Sequence, residues 1–268
     1  MTALLAAAAR AAHLVVDDAP PLFADTLAAR ILGPDGAIPI AYHRHDPSHP
    51  VLRAARVEAT VRARFAEDAL TTSGVRQYVV VGAGLDTYAY RNAAGGCRVL
   101  EVDLPDVQER KRQAVSRAGL AGPVTYVPAD LAATPLTEAL RAAGADPEEP
   151  IVVAALGLTM YLARKQVAGL LASAAGWPGG AQLVADHLLP PDDDERRGYA
   201  GAVGSAAAQA GEAWRTSLTA AEAADLARTA GFLRVRTTTP RTALPATAWR
   251  RTDGLRPGHV SGFLHAAT

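Results

Sequence analysis

The stretch Tyr78–Arg91, YVVVGAGLDTYAYR, decides how this chain is read. Its first half is a continuous run of β-branched residues with no polar alternation, as expected of a strand buried on both faces of a parallel sheet. The run breaks at Gly82-Ala83-Gly84, where the backbone can turn sharply and meet a ligand with no β-carbon in between. Thr87 stands where a GxGxxG fingerprint has its third glycine, so the match to a dinucleotide-binding turn is poor. Asp86 instead offers a carboxylate to a ligand that ends in an ammonium group.

Strand-like and helix-like segments alternate downstream, which predicts a parallel sheet covered by helices. RVLEVD (98–103) reads as a second strand, and Pro105 opens the helix after it, with Gly119 near its end. VTYVPADL (124–131), PIVVAALG (150–157) and AQLVADHLL (181–189) read as the third, fourth and fifth strands. Thr219 and Glu222 form a capping box for a helix that ends at Gly231. FLRVRTTTP (232–240) and HVSGFLHAA (259–267) follow with no strong crossover helix between them, so they should pair antiparallel. The expectation is an α/β fold: a doubly wound, mostly parallel, Rossmann-like sheet of seven strands with an antiparallel C-terminal pair. That is the sheet of class I methyltransferases. Residues 1–76 read as a helical N-terminal cap and 77–268 as the ligand-binding domain. Residues 190–218, a long connection at the carboxyl end of the fifth strand, read as a lid or substrate wall.

Two acids compete for a ribose at the end of the second strand, about twenty residues past the glycines. Glu101 and Asp103 share a face by strand alternation. Asp103, at the tip, is assigned the ribose, and Glu101 a loop-anchoring role. Asp130-Leu131, at the tip of the third strand, would lie beside an adenine, and Asp130 could equally cap the turn that follows.

VVVGAGLDTYAYR, LEVDLPDVQERKRQAV, VPADL and LGLTMYL occur in an order and spacing that resemble the leucine carboxyl methyltransferase-like family of class I S-adenosylmethionine-dependent methyltransferases. HLVVDDAPPLFADTLAARILG and ATAWRRTDGLRP look like an actinobacterial branch of it, and the likeness covers most of the chain. The resemblance implies that Gly82 and Gly84 line the methionine part of the cofactor. It gives Asp103 the ribose and Asp130 with Leu131 the adenine. Arg62, with Arg64 as the alternative, would bind the cofactor carboxylate. One departure stands out: the eukaryotic members carry a glutamate where this chain has Leu156. A leucine cannot keep a charged hydrogen bond, which also weakens an expectation that the substrate is a protein carboxyl terminus.

Methyl transfer from a sulfonium asks the protein to align the reactants and exclude water, with a base needed for an alcohol or phenol but not for a carboxylate. His187, which would titrate near neutrality, and Tyr161 are the candidate catalytic residues. Trp214 and Tyr88 are the candidate substrate contacts. The expected activity is O-methylation of a carboxylate or hydroxyl of a small metabolite. The alternative is an S-adenosylmethionine-binding protein that has lost methyl transfer and acts as a cyclase, isomerase or ligand binder. A nicotinamide-dependent oxidoreductase is disfavoured by Thr87 and the terminal strand pair.

The 268 residues carry 27 basic and 27 acidic side chains, so no global field favours nucleic acid. No run is apolar for the ~20 residues of a membrane span, and Arg10 and His13 interrupt the apolar opening, which reads as an amphipathic helix of a cytoplasmic protein. Cys97 is alone, excluding an internal disulfide or multi-cysteine metal site. His43, His45 and His49 match no metal-binding spacing, and no metal is expected. The helical first segment would either cap the active site or pack against a second subunit as a homodimer.

Overall fold

Every expected strand is present in the computed structural model, which describes residues 2–268. The first part of the chain holds α1 (Thr2–Val16), α2 (Ala28–Leu32), α3 (Ala37–His45) and α4 (Pro50–Ser73). The middle holds β1 (Gln77–Val81), α5 (Tyr88–Arg91), β2 (Arg98–Asp103), α6 (Pro105–Arg117), β3 (Val124–Pro128), α7 (Leu136–Ala142), β4 (Ile151–Ala155), α8 (Arg164–Ala175) and β5 (Ala181–Leu188). The last part holds α9 (Asp194–Tyr199), α10 (Ser205–Gln209), α11 (Ala220–Thr229), β6 (Arg234–Thr238), α12 (Pro240–Ala243) and β7 (Ser261–Ala267).

The seven strands form one sheet in the order β3-β2-β1-β4-β5-β7-β6. The first five are parallel, and β7 runs antiparallel between β5 and β6. The order reverses between β1 and β4, which opens a crevice at their carboxyl ends, where doubly wound sheets bind ligands. β1 and β4 are buried along their whole length, which explains their unbroken apolar sequences. β3 is shorter than its sequence suggests. Past Pro128 the chain turns, with Asp130 accepting from the amides of Ala132 and Thr134.

Alternation along the strands sorts side chains into two cores. Tyr78, Val80, Val152, Ala154 and Val184 pack with Ala66 and Leu70 of α4 and with α5. Val79, Val81, Val153, Leu183 and Ala185 pack with α7, α8 and α11 on the other face. The first 76 residues therefore divide: α4 is a layer of the sheet, whereas α1 to α3 rest on α4 and the glycine turn. Ala7, Ala8 and Ala11 let α1 approach Ala28 and Leu32 closely, with Leu85 packed against the same cluster. α11 starts with the expected capping box, Thr219 and Glu222 exchanging hydrogen bonds.

Candidate active site

The glycine turn sits at the switch point. Its first amide, Gly82 N–H, donates to Val102 O of the neighbouring strand at 2.8 Å. Gly82 and Gly84 have φ of +67° and +42°, a region that side chains rarely enter. Space is also short. A β-carbon at Gly84 would lie 2.9 Å from Ala3 Cβ of α1, and one at Gly82 would lie 3.0 Å from Leu158.

Asp103, at the tip of β2, holds this turn. One carboxylate oxygen accepts from Gly84 N–H and the other from Leu104 N–H, each at 2.8 Å. Burial pushes its pKa upward, against the pull of those two amides. Glu101 lies one step inside on the same face and forms a fully buried ion pair with Lys111 of α6 at 2.6 Å. It anchors α6 and leaves the strand tip to Asp103. Asp130 is exposed, and Leu131 packs on the α7–α8 side of the core.

Thr87 explains why the third glycine is missing. Its hydroxyl donates to Asp25 at 2.6 Å and accepts from Arg91 Nε at 2.9 Å. Asp25 also receives Arg10 Nε at 2.7 Å, and Arg10 reaches the Leu85 carbonyl at 2.8 Å. Arg91 continues the network to Glu67 of α4. Burial alone would push Asp25 up, but Arg10, Thr87 and Arg91 hold it below the usual carboxylate range. The network clamps the first helices onto the loop after the turn. Thr87→Val keeps the shape and removes both hydrogen bonds, so it should cost about 1–3 kcal/mol of stability by denaturant unfolding. A cost under about 0.5 kcal/mol, the level of an ordinary surface change, would contradict the clamp.

A second cluster lies beyond β4 and β5. Arg62 of α4 stacks over Gly157, where a β-carbon would come within 2.6 Å of its guanidinium. Arg62 Nη1 pairs with Asp186 at 3.2 Å, and Asp186 also accepts from Gly157 N–H at 2.5 Å. No other hydrogen bond of Arg62 is formed among the described residues. Arg64 faces outward instead and pairs with Asp68 one helical turn on. Tyr161 and Tyr199 lie within electrostatic reach of Arg62, and Trp214 stacks on Tyr199 with ring centroids 6.0 Å apart. The segment from Pro190 to Leu218 carries Tyr199 and Trp214. It is tied to the strand tips through Arg215 N–H to Met160 O at 2.7 Å and Leu218 N–H to Leu188 O at 2.8 Å.

Two expected residues are not brought to this cluster. His187 alternates with Asp186 and so faces α8 and α11 on the other side of the sheet. It is 3% exposed, and its Nδ1 lies 2.9 Å from the Leu218 carbonyl. A β-carbon at Gly262 of β7 would press within 2.6 Å of its ring, and burial lowers its pKa. That is the setting of a packing histidine, and the expectation that it acts as base is not supported by its position. Tyr88 packs edge-on against Tyr78, with centroids 4.8 Å apart, under α4 and near Cys97. It lies away from Trp214 and Tyr161 because α5 turns its side chain back onto the sheet.

Three residues were not anticipated: Glu58, Tyr199 and Ser261. Glu58 precedes Arg62 by one helical turn of α4, and that spacing was the only available signal. Among the described residues no group of three or more His, Cys, Asp or Glu could hold a metal ion, and no helix is long and apolar enough to cross a membrane.

A seven-stranded doubly wound sheet with a reversed strand at its end is the fold shared with solved structures described as methyltransferases. A candidate methyltransferase of Thermobifida fusca superposes with a TM-score of 0.59 at 16% identity, covering 88% of this chain and 91% of that one. A protein of the DUF574 family from Streptomyces avermitilis gives 0.56 at 18% identity, covering 96% of both. At these identities the likeness concerns the fold alone. Sequence comparison goes further: the leucine carboxyl methyltransferase family profile matches residues 3–175, and the chain belongs to that family. A candidate S-adenosyl-L-methionine-dependent methyltransferase of Mycobacterium avium is 35% identical over 73% of this chain and 68% of its own length. One of Mycolicibacterium smegmatis, similarly described, is 37% identical over 60% of this chain and 57% of its own.

Proposed function

We propose that this chain is an S-adenosylmethionine-dependent methyltransferase acting on an oxygen atom of a small metabolite. The observation that carries the reading is the glycine turn at the sheet's switch point, held by Asp103 from the adjacent strand tip. The residues present fit the cofactor. Gly82 and Gly84, both at positive φ, make the sharp turn at the tip of β1 that the methionine part would meet. Asp103 has lone pairs beyond its two amide bonds for ribose hydroxyls. Arg62 has N–H groups beyond the one given to Asp186 for the amino-acid carboxylate. Asp130 and Leu131 take the adenine, since Asp130 is exposed just past β3 and only one of its carboxylate oxygens is used by Ala132.

The bound sulfonium supplies an activated methyl group. The protein's share is alignment and the exclusion of water. Residues 190–218 serve as the lid, and Tyr161 and Trp214 stand on the acceptor side. Leu156 packs into the α4-side core, so the carboxylates on that side are Asp186 and Glu58 instead. The first helices close over the glycine turn and offer the face on which a second copy would dock, in a cytoplasmic enzyme.

The reading is tested by supplying S-adenosylmethionine with an isotopically labelled methyl group and following the label by mass spectrometry in a metabolite extract. Label appearing as a new methyl ether or ester supports it. Cofactor bound but never demethylated, with an isomerised or cyclised product, would point to a protein that keeps the cofactor as a fixed charge.

A further inference from the structure

Glu58 is a buried carboxylate with work left to do. It is 5% exposed, and Oε2 accepts the hydroxyl of Ser261 at the start of β7. Oε1 is buried with no hydrogen-bond partner among the described residues and packs against Gly258, where any β-carbon would collide with it. The charge around it is unbalanced. Arg62, one turn along α4, is already paired with Asp186, so one guanidinium serves two carboxylates. Burying such a group is costly unless something donates to it.

One aromatic residue is coupled to it, and a second stacks on the first. Tyr199 lies in the electrostatic field of Glu58, Arg62, Tyr161 and Asp186, and its ring stacks with Trp214 at an interplanar angle of 21°. Trp214 rests on Gly204, and its indole N–H is also buried without an acceptor among the described residues. An unused acceptor on α4 is thus coupled to Tyr199, and Tyr199 stacks on a tryptophan whose own donor is unused.

We propose that the acceptor side of this site takes a neutral aromatic hydroxyl compound and that Glu58 Oε1 accepts its proton during methyl transfer. The proposal rests on the methyltransferase reading above and deepens it by separating hydroxyl from carboxylate acceptors. A phenol supplies the O–H donor that Oε1 lacks and a flat ring for the aromatic wall. A carboxylate substrate would bring a further negative charge to a site where Glu58, Asp186 and Glu195 already outnumber Arg62. In the step, the O–H bond breaks with its proton going to Glu58 as the oxygen bonds to the methyl carbon. The carbon–sulfur bond breaks with its electron pair staying on sulfur, which turns the sulfonium into a neutral thioether.

Burial pushes Glu58 up to about 7, against the opposing hydrogen bond from Ser261. That suits a base working near neutrality. Besides burial and Ser261, Asp186 from β5 and Glu195 from α9 raise this value and Arg62 from its own helix lowers it, while Tyr199 of α9 also faces Glu58.

The test uses the full chain saturated with S-adenosylhomocysteine and titrated with a naphthol and with the matching naphthoate. The naphthol should bind at least about tenfold more tightly than the naphthoate. Glu58→Gln, which keeps shape and the Ser261 contact, should close most of that gap. Trp214→Ala should weaken the naphthol by about tenfold. With S-adenosylmethionine in place of the product, the naphthyl methyl ether should form. Glu58→Gln should slow it by about a hundredfold or more and abolish the rise in rate through about pH 7.

Preference for the naphthoate, or a Glu58→Gln variant with unchanged preference and rate, would overturn the proposal. So would failure of both probes to bind a protein that still binds S-adenosylhomocysteine, an outcome that leaves the methyltransferase reading standing. Loss of S-adenosylhomocysteine binding by the folded wild type would remove that reading as well.

Discussion

Asp103→Ala should bring S-adenosylhomocysteine binding below detection in a calorimetric titration, while the protein stays folded. The carboxylate has two tasks at once. It fixes the glycine turn through Gly84 N–H and Leu104 N–H, each at 2.8 Å, and it offers its remaining lone pairs to a ribose. Hydrogen bonds to a charged group are worth about 1.5–3 kcal/mol each. Losing the ribose bonds and loosening the cradle together should weaken binding by about a hundredfold or more. Asp103→Asn keeps one oxygen acceptor and should fall between the two. An alanine variant that binds as wild type does would mean that the cofactor is not held at the tip of β2.

Lys111→Met should be the most destabilising single change at the core, at about 3–5 kcal/mol in denaturant unfolding. Glu101 and Lys111 are 0% and 1% exposed and meet at 2.6 Å, so the variant strands a buried carboxylate. Burial already pushes Glu101 up, with Lys111 pulling against it, and removing the lysine leaves burial unopposed. The sign of the pH dependence follows. An acid whose folded pKa lies above its unfolded value loses stability as pH rises through the folded value. The variant's deficit should therefore shrink as pH falls toward the ordinary carboxyl value of 4.5, below which Glu101 is protonated folded or unfolded. The double variant Glu101→Leu/Lys111→Met, with no charge to bury, should recover most of the loss. A single-variant cost under about 1 kcal/mol would show that Glu101 escapes its burial, contrary to the packing of α6 on β2.

The sheet was legible because strands buried on both faces must be continuously apolar, and QYVVV and IVVAA leave no other reading. The terminal pair was legible because only short helical pieces, α12 among them, lie between β6 and β7. The clamp at Thr87 was not, since its partner Asp25 lies 62 residues earlier and no local pattern links them. Glu58 reads in ARVEATVRAR as an ordinary helix-surface glutamate; it is buried where Gly258 and Ser261, the latter 203 residues away, pack over it. His187 was chosen on chemistry, and the strand alternation that turns Asp186 toward α4 and His187 toward α8 could not be read from chemistry alone. Arg62 and Arg64 were separated by helix phase, which put one over Gly157 and the other against Asp68.

The most direct test of the central claim is titration of the wild-type chain with S-adenosylmethionine and S-adenosylhomocysteine. The account predicts saturable binding of both at one site per chain, with no comparable binding of a reduced nicotinamide dinucleotide. A folded protein that binds neither, or that prefers the dinucleotide, would contradict it.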